Sequence, residues 1–129
     1  GKDNDVGEMR RVLNSFLQFL ERDNSESLII AATNNLGMLD QALFRRFDDV
    51  IHYNLPSNEE KIQLLKSRLG KNVTSKDINI LLPMLENLSH AEINQACLDA
   101  IKESVLNNTD ISLSLIEKTI KERTMAYKI

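Results

Sequence analysis

The feature that most restricts the fold of this chain is an uninterrupted apolar run from Leu28 to Ala32. Because the run does not alternate with polar residues, a strand built from it would be covered on both faces, as in a parallel sheet. A helix is predicted before it, from Glu8 to Arg22, where apolar residues recur at three- and four-residue spacing. Residues 1–7 are polar and aperiodic, so a loop or frayed start is expected there. Helices before and after such a strand indicate an α/β layer.

A short helix and a second strand are predicted to follow the apolar run. Asp40 can cap a helix through about Phe47, with Leu39 and Phe44 at the spacing of a hydrophobic staple. Residues 50–55 place alternate side chains on opposite faces, which is typical of a half-covered strand near a sheet edge. A proline follows them and ends the strand.

After this proline the sequence indicates helices only. Ser57 and Glu60 have the spacing of a capping box, and the helix that they open is expected to close near Gly70. Residues 74–87 are largely apolar but contain Pro83, which would cost about 3 kcal/mol in a helix interior. A short or broken helix is therefore predicted for this stretch.

Two longer helices are predicted to complete the chain. Ser89 and Glu92 form a second capping box, whose helix runs to about Leu106, and Ser112 opens the last helix. The apolar side chains expected to face inward are Ile93, Ala96, Cys97, Ala100, Ile101 and Val105, then Leu115, Ile116 and Ile120. Four helices with short connections predict a bundle, so the fold class is α/β plus all-α.

Composition argues against several classes of protein. The longest apolar run is far shorter than the roughly 20 residues of a membrane-spanning helix. A formal net charge of -3, without a basic face, argues against direct contact with nucleic acid. Cys97 is the single cysteine, and the two histidines, His52 and His90, are far apart in sequence. The common zinc arrangements of Cys and His are therefore excluded, and no metal site is predicted. A reducing, cytoplasmic compartment is the default.

The residues after the apolar run are the first candidate for chemistry. Asn34 follows the carboxyl end of the predicted buried strand, which is where open α/β sheets bind ligands. Its amide can accept from a water and donate to a phosphate oxygen, which suits it to orienting a nucleophilic water. The alternative is a strand-to-loop turn that uses asparagine for its backbone tolerance.

Two adjacent arginines, Arg45 and Arg46, are the second candidate. On a helix they would point about 100° apart, so they cannot both serve one local partner. One interpretation is an arginine finger, whose planar, permanently charged fork stabilises charge on a transferring phosphoryl group. The alternative is a pair of solvated ion pairs with Asp40, Asp48 and Asp49, worth less than about 1 kcal/mol each.

Two stretches of the sequence together resemble the AAA family of ATPases. LIIAATNNLGMLDQALFRRFDDVIHYNLP is similar to the strand that bears the first sensor asparagine, followed by the second region of homology with its arginines. LSHAEINQACLDAIKES is similar to the penultimate helix of the family's C-terminal lid. The resemblance implies that residues 1–56 are the C-terminal part of an α/β nucleotide-binding subdomain and that residues 57–129 are the helical lid.

The resemblance also implies roles for particular residues. Asn34 matches the sensor residue and would position the attacking water, while Arg45 and Arg46 match the two finger arginines and would act across a subunit boundary. Here the arginines are written RRFD, without the Pro and Gly between them in many members, which leaves the principal finger open. The intact parent would bind ATP and Mg²⁺ and would assemble with neighbouring copies, often as a hexameric ring in the family. The sequence does not indicate which protein substrate is remodelled.

Two motifs of such an ATPase do not occur in this sequence. No G-x-x-x-x-G-K-[ST] phosphate loop is present, and no apolar strand ends in adjacent acidic residues to hold Mg²⁺. Since the family has both upstream of the region described, the chain resembles the C-terminal half of an ATPase module. We therefore expect that this chain alone binds nucleotide weakly and does not turn over ATP.

The start of the penultimate helix is the remaining candidate for a nucleotide contact. Many AAA lids have glycine before alanine there, whereas this chain has His90 before Ala91. A solvated surface position is favoured for His90 over an adenine contact, because its charged form is disfavoured near a helix N-terminus.

Two other functions compete with that of an ATP-driven remodelling enzyme. One is a non-catalytic helical adaptor or scaffold derived from such a module. An upstream sequence without a phosphate-loop lysine would favour this alternative. The other is a clamp loader or nucleic-acid remodeller of the same superfamily, against which the acidic charge balance argues.

Overall fold

The protein is predominantly helical in a computed structural model that describes residues 2–34, 37 and 41–126. The helices of this described part are α1 (Lys2–Glu21), α2 (Gln41–Phe44), α3 (Asn58–Leu69), α4 (Ser75–Leu81), α5 (His90–Asn107) and α6 (Leu113–Ala126). Two 3-10 turns, Gly70–Asn72 and Leu82–Leu85, follow α3 and α4. The chain divides into two compact units, residues 1–52 and residues 53–129.

In the first unit, the predicted first helix is confirmed, and it begins earlier than expected. α1 starts at Lys2, so the prediction of a loop before Glu8 is wrong. Carboxylates near a helix N-terminus, such as that of Asp5, interact favourably with the helix dipole, which allows a polar stretch to be helical. Of its predicted apolar stripe only Leu17 is fully buried, while Phe16 and several neighbours are exposed.

The partial parallel sheet predicted for the first part is not formed in the described residues. Residues 28–33 and 49–56 have neither helix nor strand structure, and Leu28 and Ile30 are 85% and 82% exposed. The physical reason is that a strand needs neighbouring strands for its backbone hydrogen bonds. An apolar run of this kind also needs a covering layer on each face, and the described residues of this unit supply neither.

A short helix follows, as predicted, although it is shorter than expected. α2 ends at Phe44 and is followed by a turn at residues 45–46, instead of continuing to about Phe47. Leu43 is its buried residue. The predicted cap Asp40 and staple residue Leu39 lie outside the described residues.

The second unit begins with the capping box predicted at Ser57. The Glu60 N–H donates to the Ser57 hydroxyl oxygen at 3.2 Å, and the Ser57 N–H donates to the Glu60 carboxylate at 2.9 Å. α3 closes at Gly70, where φ is 54°. This conformation favours glycine, which lacks a Cβ.

The next stretch is interrupted at its proline, as predicted. α4 stops at Leu81, and Pro83 is the second residue of the following 3-10 turn, a first-turn position at which proline is tolerated. The start of α4 was not predicted from the sequence: Thr74 and Asp77 form a further capping box there. Asp is a less familiar third residue of this motif than Glu or Gln.

The last two helices follow their predicted caps. The Glu92 N–H donates to the Ser89 hydroxyl at 3.2 Å, and the Ser89 N–H donates to the Glu92 carboxylate at 2.6 Å. Asn108 follows the last residue of α5 and caps it with a left-handed φ of 51°, a conformation that asparagine tolerates. The Ser112 hydroxyl then accepts from the Leu115 N–H at 3.1 Å at the start of α6.

One predicted inward position of α5 is wrong. Val105 is 72% exposed, and Ser104 is buried in its place. At 100° per residue, Ser104 lies about 20° around the helix from the buried Ile93, whereas Val105 lies about 120° away. The Ser104 hydroxyl donates to the Ile101 carbonyl at 2.8 Å, so its burial leaves no unmet donor.

A single apolar cluster holds the helices of the second unit together. α5 packs against both α3 and α6. Two ion pairs also link α5 to α6, Lys118–Glu103 at 2.6 Å and Arg123–Asp99 at 3.0 Å. The buried members of the cluster are Leu65, Leu69, Val73, Ile78, Leu81, Leu85, Leu88, Ile93, Ala96, Cys97, Ala100, Ile116 and Ile120.

Candidate functional site

The sequence candidates fall into two groups, one in each unit. Asn34, Arg45 and Arg46 belong to residues 1–52, whereas His90 and Ala91 belong to residues 53–129. In the part of the chain that the structure describes, no hydrogen bond or ion pair joins Asn34 to either arginine. The two groups are therefore described separately.

Asn34 lies in a bend at the end of the unpaired apolar segment, and its side chain is exposed. An exposed amide offers two N–H donors and a carbonyl acceptor. The position can thus bind a water or an anion.

Arg45 and Arg46 lie in the turn that closes α2. The Arg45 N–H donates to the Gln41 carbonyl at 3.4 Å, and the Arg46 N–H donates to the Leu43 carbonyl at 3.1 Å. These bonds fix the backbone of the two arginines to the preceding helix, so their side chains start from a defined position.

The two arginine side chains have different surroundings. Arg46 Nε lies 3.4 Å from Glu21 Oε1 at the end of α1. Arg45 is exposed, and among the described residues its guanidinium forms no ion pair. The Arg46–Glu21 contact is itself partly exposed, with 34% and 53% of the side chains accessible, so it is worth less than about 1 kcal/mol. The alternative interpretation had named acidic neighbours in sequence as partners, and it missed Glu21.

In the second unit, His90 and Ala91 are the first residues of α5, and both are exposed. His90 Nε2 lies 3.5 Å from Glu60 Oε2, and this same oxygen accepts the Ser57 N–H at the start of α3. The N-termini of α3 and α5 are therefore adjacent. The His90–Glu60 contact is an ion pair only when the imidazole is protonated.

Two groups in α5 have perturbed pKa values, and neither points to a reactive centre. Burial raises the pKa of the Cys97 thiol to about 11, against a smaller opposing effect of the Arg68 charge. For Asp99, burial acts to raise the pKa, but hydrogen bonds from Gln95 and Arg123 outweigh it and the pKa is lowered. A thiol with a raised pKa is a poor nucleophile.

One charged residue of the second unit has a burial that was not predicted from the sequence. Lys61 is only 5% exposed, although lysine is rarely buried without a partner. It precedes Leu65 and Leu69 at four-residue spacing, so it belongs to the buried stripe of α3. That spacing was visible in the sequence and could have identified it.

Across residues 2–34, 37 and 41–126, no group of His, Cys, Asp or Glu side chains is arranged to hold a metal ion. Within the same ranges no helix has the length and apolar character that crossing a membrane requires.

The first part of the sequence matches a known protein family. Residues 1–55 match the ATPase family associated with various cellular activities (AAA). An uncharacterized AAA family ATPase of Sinorhizobium fredii is 35% identical over 99 residues, 77% of this chain. An uncharacterized AAA domain-containing protein of Guillardia theta is 29% identical over 125 residues, 92% of this chain.

A plant protein extends the same similarity. The Arabidopsis thaliana protein Suppressor of K(+) Transport Growth Defect 1 is 30% identical over 116 residues, 85% of this chain. The chain spans 30%, 25% and 27% of the lengths of these three relatives, respectively. The alignments continue well beyond residue 55, so they include helices of the second unit. On this similarity, the chain belongs to the AAA family of ATPases.

Proposed function

We propose that this chain supplies the C-terminal part of an ATPase module in a larger, ATP-driven remodelling protein. Residues 1–56 would complete the nucleotide-binding subdomain, and residues 57–129 would form its helical lid. The observation that carries the proposal is the AAA match over residues 1–55, which contains Asn34 and both arginines in the expected order. The capped helical unit that follows supports the assignment of a lid.

The unpaired apolar segments fit this proposal. In the complete protein, residues 28–32 and 50–55 would become strands of a parallel sheet whose other strands are supplied from elsewhere. Leu28, Ile30 and Ile51 are 85%, 82% and 71% exposed, so each has apolar surface available to be covered.

Within the complete module, Asn34 would orient the attacking water. Its exposed amide, at the end of the predicted strand, supports this role. Its side-chain carbonyl can accept a hydrogen bond from the water, while its N–H₂ group donates to an adjacent phosphate oxygen.

The arginines would act on the nucleotide of a neighbouring subunit. We assign the principal role to Arg45, because it is exposed and has no ion pair among the described residues. Arg46 would support the same turn through its contact with Glu21. A planar guanidinium in this position stabilises charge on the transferring phosphoryl group.

This chain by itself does not fit Mg²⁺ and ATP. It lacks a phosphate-loop sequence, and its described residues contain no cluster that could hold a metal. His90 and Ala91 remain candidate contacts to a nucleotide held by other residues, and the exposure of both supports this. We also propose that the complete protein assembles into a ring, with six subunits as the first expectation, and that it is located in the cytoplasm.

The test uses the full-length protein and mixed subunits. Arg45→Ala should reduce ATP turnover by about 10³ to 10⁵ while leaving ATP affinity nearly unchanged. Mixing this variant with one that lacks only its phosphate-loop lysine should restore some turnover, because the second variant still offers intact arginines. Arg11→Ala, at an exposed position of α1, is the matched control and should behave as wild type.

Two outcomes would contradict the proposal. Normal turnover by both Arg45→Ala and Arg46→Ala would make the arginines a surface charge feature. A full-length protein that binds no ATP would favour the adaptor.

A further inference from the structure

Glu21 contacts one of the two candidate finger arginines, although neither sequence motif of the family includes it. Its Oε1 atom lies 3.4 Å from Arg46 Nε, and the two residues are 25 positions apart. Arg22, the next residue along the chain, forms no ion pair with Glu21 within the described residues. The carboxylate therefore pairs with the distant arginine and not with the adjacent one.

The position of Glu21 at the end of α1 adds to its attraction for Arg46. Glu21 is the last residue of α1, and the last turn of this helix contains no basic residue. The carbonyl groups at a helix C-terminus carry partial negative charge, which is unfavourable for a carboxylate and favourable for a guanidinium. Arg46 therefore meets two sources of negative potential here, the Glu21 side chain and the end of the helix.

Arg45 and Arg46 leave the same turn, so a contact to one of them separates their uses. α2 ends at Phe44, so the fixed angle of about 100° between adjacent side chains of a helix does not apply to the two arginines. Arg46 is drawn to Glu21, while Arg45 forms no ion pair among the described residues. The Arg46 side chain is 34% accessible, so it can change partners if the carboxylate is removed.

We propose that Glu21 determines which of the two arginines acts on the nucleotide of the neighbouring subunit, because it holds Arg46 at the end of α1 and leaves Arg45 to act. The role assigned to Glu21 rests on the proposed function, since it requires that one arginine be a finger. Glu21 is a positioning residue, and its carboxylate acts on the reaction through Arg46. Without this carboxylate, Arg46 is released and takes the place of a missing Arg45.

The test is a rescue experiment in the full-length protein. Arg45→Ala should lower ATP turnover, and the addition of Glu21→Gln should raise the turnover of this variant by about two- to fivefold. The upper limit is the factor that corresponds to about 1 kcal/mol, which is the most that a partly exposed ion pair usually contributes. A merely structural role of Glu21 would not give this result, because the loss of a structural contact does not raise turnover.

Two controls separate the release of Arg46 from a general change of charge. Glu26→Gln removes an exposed carboxylate from the segment after α1 and should not rescue Arg45→Ala. Glu21→Gln should also give no rescue when Arg45 and Arg46 are both alanine, because the arginine that it releases is then absent. The ATP affinity of each variant should equal that of Arg45→Ala, which shows that the variants are folded and that the change lies in turnover.

The outcomes distinguish the role of Glu21 from the proposed function. If Arg45→Ala loses turnover and Glu21→Gln restores none of it, the role of Glu21 is wrong while the arginine finger stands. An equal rescue by Glu26→Gln would likewise replace the role of Glu21 with a general effect of charge. Normal turnover by Arg45→Ala would refute Arg45 as the principal finger, and the selection by Glu21 with it.

Discussion

The orientation of α5 can be tested by two side-chain truncations, of which the one that removes fewer atoms should cause the greater loss of stability. Ile93 is fully buried in the apolar cluster, whereas Val105 is 72% exposed, although the sequence analysis predicted both to face inward. Ile93→Val removes one methylene group, and Val105→Ala removes two methyl groups. Because Ile93 is buried and Val105 is exposed, the smaller truncation should destabilise the protein more.

The magnitudes follow from burial. Ile93→Val in a close-packed site should lower the free energy of unfolding by about 1 kcal/mol, within the usual 0.5–1.5 kcal/mol. Val105→Ala should change it by less than about 0.5 kcal/mol, because little surface is buried and alanine has the higher helix propensity. With a slope of roughly 1 kcal/mol per M urea for a small unit, Ile93→Val should lower the urea midpoint by about 1 M.

The assay should follow the second unit alone, since two compact units need not unfold together. The intensities of α5 and α6 amide signals in ¹H–¹⁵N spectra, measured against urea concentration, provide this. An equal or greater loss of stability in Val105→Ala would mean that α5 is rotated about its axis, and the assignment of its buried face would be refuted.

The remaining predictions concern caps, exchange, acid titration and thiol reactivity. Ser89→Ala should lower the free energy of unfolding by about 1 kcal/mol through loss of its capping box, whereas Ser114→Ala, at an exposed position inside α6, should have little effect on the urea midpoint. Amides of residues 91–105 should exchange with deuterium more slowly than those of residues 28–32, and the reverse order would contradict the packed helical unit unless the chain dimerises through those apolar segments. The pKa of Asp99 is lowered in the folded state, so its carboxylate stabilises the fold at pH 7. Asp99→Asn should therefore be less stable than the wild type at pH 7. This difference in urea midpoint should vanish as the pH falls below 3.8, the ordinary pKa of the group, and through the lower folded-state pKa. Cys97, with a pKa of about 11, should resist a disulfide reagent at pH 8 until the chain is unfolded, and rapid labelling of the folded chain would be inconsistent with its burial.

The helical part of the fold was predictable because its signals are local. The pairs Ser57–Glu60 and Ser89–Glu92 lie three residues apart, and each capping box satisfies backbone groups within one turn. Pro83 likewise interrupts helix geometry whatever surrounds it. Such features can therefore be identified without knowledge of tertiary contacts.

Two of the failures have a different origin, because they depend on neighbours. A strand at residues 28–32 requires hydrogen-bonding partners that the described residues do not provide. Val105 was assigned to the core because it is apolar and follows Ile101 by four residues, but Ser104 occupies the inward angle and meets its own hydrogen-bonding need.

For the candidate site as well, local sequence patterns were predictable and tertiary contacts were not. The stretches LIIAATNNLGMLDQALFRRFDDVIHYNLP and LSHAEINQACLDAIKES were sufficient to indicate the AAA family, yet they gave no basis for ranking Arg45 and Arg46. The contact that distinguishes them, Arg46 with Glu21, joins residues 25 positions apart and depends on tertiary structure.

The carboxylate of Glu60 has a consequence for how this sequence can vary. One oxygen, Oε2, both accepts the Ser57 N–H and lies beside His90, so positions on two different helices depend on one side chain. A change at position 60 would alter the start of α3 and the surroundings of α5 together, and its effect would depend on which residue occupies position 90. Glutamine could keep the cap but not the charge, whereas aspartate would keep the charge with a shorter reach. Tolerated substitutions at positions 57, 60 and 90 should therefore occur as combinations.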